Sequence, residues 1–202
     1  SSPSGVQEAR LNWPVEESPP ARIDWRDRLA LATDLALIGL AVTALALPVV
    51  TAPAALATGS AAVHGRCRDG RLPSWRPLLR QYVHGILPGL PALLAAVALL
   101  IDLTAIRNGW VPGGPALLAV TVLAAVYLSG VAALTVVALG RSPELPWRTA
   151  ARWSWERPTC ATALAATGVI ALVLTLAVPV TLPLVIGFHL FALHMIANRL
   201  AR

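Results

Sequence analysis

Two carboxylates and two histidines lie inside long apolar runs of this chain: Asp34, Asp102, His189 and His194. An ionisable group at membrane depth is a candidate for ion coupling or proton relay, and otherwise it is held by a charge partner. For Asp34 the structural alternative is a carboxylate that faces a water-lined inner vestibule or pairs with an arginine of a basic loop. For Asp102, near the outer end of its run, the alternative is an interfacial pair with Arg107. His189 and His194 are five residues apart, which sets them about 140° apart around a helix. They therefore cannot chelate one metal as an i, i+4 pair does. His189 and Asn198 are the residues of the last run expected to face a polar bundle interior, where interhelical hydrogen bonds are the plainer role. His64 and His84 flank a basic loop at headgroup level.

No catalytic constellation accompanies these groups. Gly-x-Ser-x-Gly, His-Glu-x-x-His and a phosphate loop are all missing from the sequence, so no catalytic residue, cofactor or metal site is expected. Cys67 and Cys160 lack metal-ligand spacing and are expected to be inert thiols.

The elements that must position these residues are membrane helices. The chain has 202 residues, is 56% hydrophobic and only 13% charged, against about 25% charged in soluble domains. Its mean hydropathy is +0.68, and long apolar runs recur along it. The expected fold class is all-α: a polytopic membrane bundle of about six transmembrane helices, the second one short, with two interfacial amphipathic helices. Residues 1–22 read as a disordered polar tail, with prolines at 3, 14, 19 and 20. Residues 23–202 form a single transmembrane domain with spans at about 29–47, 54–66, 83–106, 115–139, 159–178 and 182–198.

The apolar run Leu29–Val63 holds 35 residues. As one straight helix it would reach about 52 Å, against a hydrocarbon core of about 30 Å. Pro48 and Pro53 break it, since each lacks an N–H and biases the preceding residue away from the helix. The tip Pro48–Pro53 is uncharged and must be covered by protein or headgroups. The link at 178–183 is a second tight, proline-bounded turn. Pro88 and Pro91 interrupt the third run early. Gly85–Gly89 and Ala165–Val169 offer close helix contacts at most.

All sixteen basic side chains are arginines. With six crossings and the amino terminus inside, every arginine but Arg107 falls on the cytoplasmic face, the positive-inside pattern. Basic charge spread over inner loops excludes a nucleic-acid-binding domain despite the sequence pI near 10.9. Two inner stretches, 72–83 and 145–155, share Leu-Pro followed by Trp-Arg-x-x-x-Arg. Trp75, Arg76 and Arg80 in one, and Trp147, Arg148 and Arg152 in the other, suit short helices lying on the inner leaflet. There they would contact anionic lipid or dock a partner. Each stretch precedes a pair of spans, so the two units would be parallel repeats.

The turn "LPVVTAPA" (47–54), the basic loop after it, the amphipathic Trp-Arg stretch and the closing "LPLVIGFHLFALHMIANRLAR" together resemble the YesL-like family of bacterial integral membrane proteins, a domain of unknown function. The resemblance covers about Leu29 to the end. The chain departs from it in being poor in Phe and Tyr and in its longer amino-terminal tail. The resemblance implies a multi-pass protein of the bacterial plasma membrane associated with carbohydrate ABC-transport systems, with no catalytic residue to carry over. The expected function is thus a non-enzymatic accessory or partner of such a system, with lipid and transporter components as partners. The alternative is a small-molecule transporter in its own right, with Asp34, Asp102 and His189 along a polar path between helical repeats.

Overall fold

The computed structural model describes residues 25–200. The expected tail at 1–22 lies outside them. The chain divides into two compact units, Ser1–Leu31 and Ala32–Arg202. Of the first, the described part is the opening turns of α1, where the Arg26 guanidinium lies 5.6 Å from the Trp25 ring centre.

Seven α-helices and no strand occur among the described residues: α1 Trp25–Ala46, α2 Ala52–Asp69, α3 Trp75–Arg107, α4 Gly114–Arg141, α5 Trp147–Trp155, α6 Pro158–Ala177 and α7 Leu182–Leu200. The fold is an all-α polytopic membrane bundle. Five of the helices, α1, α3, α4, α6 and α7, are long and apolar enough to cross a bilayer.

The sixth long helix, α2, is different in kind. It falls where the short second span is expected, but its interior is small and mildly polar: Ala54, Ala55, Ala57, Thr58, Gly59, Ser60, Ala62 and Val63 are all buried. It packs against α3, α4 and α7, and Val42 of α1 sits over Gly59. A helix sheathed by other helices does not need lipid-facing apolar bulk, and small residues let neighbouring backbones approach.

The proline hairpin forms as the sequence predicts. A 3-10 turn at Val49–Thr51 follows Pro48, and Pro53 stands in the first turn of α2, where its missing N–H costs nothing. The Thr51 hydroxyl lies 2.6 Å from the Leu45 carbonyl and 2.7 Å from that of Pro48. Tyr82 of α3 donates to the Leu45 carbonyl at 3.1 Å, so protein covers part of the turn. A matching 3-10 turn, Pro179–Thr181, joins α6 to α7. There the Thr181 hydroxyl donates to the Val178 carbonyl at 2.6 Å.

Glycines set the helix crossings. A Cβ on Gly39 would collide with the Pro183 carbonyl of α7, and one on Gly187 with the Leu35 carbonyl of α1. Gly130 meets the Ala161 carbonyl of α6 in the same way, and Gly140 meets Ser60 of α2. Gly85 and Gly89 of α3 lie against Ala54 and Pro53, the close contact expected of that pair.

Two expectations change. The stretch 72–83 is not a separate interfacial helix: α3 runs unbroken from Trp75 to Arg107, through Pro88 and Pro91. Its 33 residues reach about 50 Å, so its arginine-bearing first turns extend beyond an apolar span. The second stretch does form its own helix, α5, but it lies back along α4 rather than being free of the bundle. Ala150 packs with Ala57, Ala138 and Leu139, Ser154 accepts from Thr135 at 3.1 Å, and Trp155 meets Tyr127 edge-on at 5.8 Å.

Candidate polar site

The crossing of α2 and α4 fixes the geometry. Ser60 and Gly140 are in direct contact, which brings their near neighbours His64 and Arg141 to the same end of the bundle. His194 of α7 closes the group. Its Nε2 lies 2.9 Å from Ser60 Oγ and 3.1 Å from the Ser60 carbonyl. A carbonyl can only accept, so Nε2 carries the proton and donates. That leaves Nδ1 as a bare acceptor, buried and unpartnered among the described residues. The His64 ring stacks on His194 with centroids 5.5 Å apart. Arg141 donates through Nη2 to Asn198 Oδ1 at 2.6 Å, while its Nε is buried without a partner among the described residues.

Above this cluster opens a cavity of about 1550 Å³ between α2, the first half of α3, the end of α4 and α5. Ala57, Ala61, His64, Gly140 and Arg141 line it where α2 and α4 cross, the side taken as its floor. Arg68, Arg80 and Arg148 add three guanidinium groups, against the carboxylates of Asp69 and Glu144. Arg68 stands 4.0 Å from Asp69. Arg80, Arg141 and Arg148 have no carboxylate partner among the described residues. Pro88 and Pro91 also line the cavity. Each lacks the N–H that would bond the carbonyl four residues back, which frees those of His84 and Leu87.

The sequence-derived candidates scatter around this site rather than assembling into it. Asp34 accepts from Arg66 Nε at 2.5 Å, with both side chains largely buried. Arg66 also donates to the Gly70 carbonyl at 2.6 Å, beside the left-handed Gly70 that ends α2. Asp102 is exposed on α3 and forms no ion pair with Arg107 among the described residues. His189 is half-buried and makes no hydrogen bond among the described residues, whereas His194 is 3% exposed. The interior histidine of α7 is therefore His194. Asn198 is exposed but holds Arg141.

On the two Trp-Arg stretches, Trp75 is 67% exposed with Arg76 5.7 Å from its ring centre. Arg80, Arg148 and Arg152 are exposed, and Arg152 reaches Glu156 at 3.4 Å. Trp147 instead packs against the α2–α4–α5 core and is partly buried, its accessible part lining the cavity. Cys67 is exposed, Cys160 buried, and both are free thiols. No group of three metal-ligating side chains occurs among the described residues.

Sequence reasoning missed Ser60, Arg141 and the buried role of His194. A signal was available in "ATGSAAVHG" (57–65): a Thr, a Ser and a His in a small-residue helix need interior partners. Comparison with protein-family models, with curated proteins and with solved structures finds no match.

Proposed function

We propose that the chain is a non-enzymatic membrane subunit that docks an acidic partner on its inner face, and that the partner belongs to a carbohydrate ABC-transport system of a bacterial plasma membrane. The observation that carries docking is the exposed set Arg76, Arg80, Arg148 and Arg152 on α3 and α5, of which only Arg152 has a carboxylate partner among the described residues. Both termini and the loops after α2 and α4 face the cytoplasm in this reading. The resemblance of the 47–54 turn and the closing helix to YesL-like proteins supports the choice of partner. Exposed guanidinium groups near an anionic leaflet each contribute about 1 kcal/mol, enough for orientation but not for a lasting complex unless a partner adds contacts.

The test is charge reversal at Arg76→Glu, Arg80→Glu, Arg148→Glu and Arg152→Glu, followed by purification from native membranes. Docking predicts a folded protein that no longer co-purifies with transporter components. Unchanged co-purification removes the reading.

A second reading, a transporter in its own right, is favoured by one observation. Thr58, Ser60, Thr135, Ser154 and His194 are all buried polar residues within the bundle. Uptake by proteoliposomes that is lost in Ser60→Ala and His194→Leu would support it.

A further inference from the structure

The inner cavity has features that partner docking does not use. Arg141 is fixed at its floor from two sides. Asn198 holds Nη2, and the Gly140–Ser60 contact holds the backbone next to it. Its remaining donors meet no carboxylate among the described residues. His64 stands beside it, backed by the His194 ring. Arg68, Arg80 and Arg148 come from three different elements onto the same space. Four guanidinium groups against two carboxylates leave the lining net cationic. A planar fork of N–H donors matches a tetrahedral oxyanion better than any neutral ligand.

The cavity is also large and leads onto lipid-facing surface. Its volume of about 1550 Å³ exceeds the roughly 300–1,000 Å³ of ordinary small-molecule pockets. Leu87 is among its lining residues and is 77% exposed. From there α3 continues as the least covered span of the bundle, with Leu94, Leu100 and Ile101 outward. A polar head in the cavity can thus continue into apolar chains along α3 without crossing protein. Basic pockets between helices on the cytoplasmic side suit this kind of ligand.

We propose that this cavity is a phosphate-binding site, in which Arg141 and His64 hold the oxyanion at the floor and Arg68, Arg80 and Arg148 neutralise it from the walls. The phosphate comes either from an anionic phospholipid of the inner leaflet, with its tails along α3, or from a soluble phosphate compound. The site shares Arg80 and Arg148 with the docking face, but His64, Arg68 and Arg141 line the cavity without belonging to that face, and Arg76 and Arg152 belong to the face without lining the cavity, so variants of these unshared residues separate the two proposals.

The full chain is purified into phosphatidylcholine nanodiscs. One arm titrates inorganic phosphate by calorimetry. The other adds phosphatidylglycerol and reads retained lipid by native mass spectrometry. The site predicts one saturable equivalent in at least one arm, weakened about tenfold or more in Arg141→Gln, as expected for loss of a charge-assisted hydrogen bond. Because Arg141 also holds Asn198, the variants Arg68→Gln and His64→Gln provide a second reading, with the same direction expected. Arg76→Glu with Arg152→Glu should leave binding unchanged. Binding of phosphate alone assigns a soluble ligand, and retention of phosphatidylglycerol alone assigns the lipid. No saturable binding in either arm, or equal binding by wild type and all three floor and wall variants, overturns the proposal.

Discussion

Arg66 of α2 donates to the Asp34 carboxylate of α1, joining the two arms of the hairpin that Pro48 and Pro53 turn at its other end. Both side chains are more than three-quarters buried. Exposed pairs contribute about 0–1 kcal/mol, whereas breaking a buried pair costs about 3–5 kcal/mol. Asp34→Asn should therefore destabilise the protein by about 2 kcal/mol, and Arg66→Gln by a similar amount. The double variant should cost clearly less than the sum, measured as thermal midpoints in one detergent. Strict additivity would mean that the two side chains are neighbours without coupling, and the hairpin would owe its closure to the turn alone.

The glycine crossings make a sharper prediction. Gly140→Ala places a methyl against the Ser60 backbone and side chain. Overpacking of this kind costs about 1–3 kcal/mol, with more expected where backbone must move. Gly168→Ala meets nothing within 4 Å and should gain up to about 1 kcal/mol in helix propensity. The two variants carry the same chemical change in opposite surroundings. If their melting points shift alike, crossing geometry is not what Gly140 supplies.

How far the sequence reveals this fold follows from what each signal encodes. Pro48 and Pro53 act locally, through a missing N–H and a fixed φ, so the hairpin is legible from the chain alone. The apolar runs report lipid exposure, so α1, α4, α6 and α7 are legible within a few residues. Pro88 and Pro91 mislead because the same local rule predicts a break, while packing of Gly85 and Gly89 on Ala54 and Pro53 keeps α3 continuous. The site is hidden for a related reason. His194 and Ser60 are 134 residues apart, and nothing local in either says that α2 and α7 meet. Periodicity separates His189 from His194 by angle but does not say which face turns inward. Asp34 stood out by its charge, but its partner is settled only by the way α2 returns beside α1.

The proposed topology, with both termini inside, rests on the arginine distribution and can be checked directly. In a Cys67→Ser background, with Cys160 buried, single cysteines are placed at Asn108 and Ser74, both exposed helix-flanking positions. An impermeant maleimide applied to intact cells should label Asn108→Cys and spare Ser74→Cys until the cells are opened. Strong external labelling at Ser74 would invert the bundle and place the basic cavity outside. A charge distribution of this bias is not expected to permit that orientation.

The last prediction separates the two histidines of α7. His194 donates to Ser60 while stacked against His64, and it is buried to 3% exposure. His194→Leu removes the donor and leaves the Ser60 hydroxyl buried without its partner, at a cost of about 1–3 kcal/mol. His194→Gln keeps an N–H within reach of the Ser60 carbonyl and should recover part of that loss. His189 makes no such contact among the described residues and is only half-buried, so His189→Leu should stay within about 0.5 kcal/mol of wild type, as substitutions away from buried networks do. The order of the midpoints is the measurement: wild type and His189→Leu highest, His194→Gln between, His194→Leu lowest. A His189→Leu protein less stable than His194→Leu would reverse the assignment of the interior face of α7. The contact network built on Ser60, including the placement of Arg141 at the cavity floor, would fall with it.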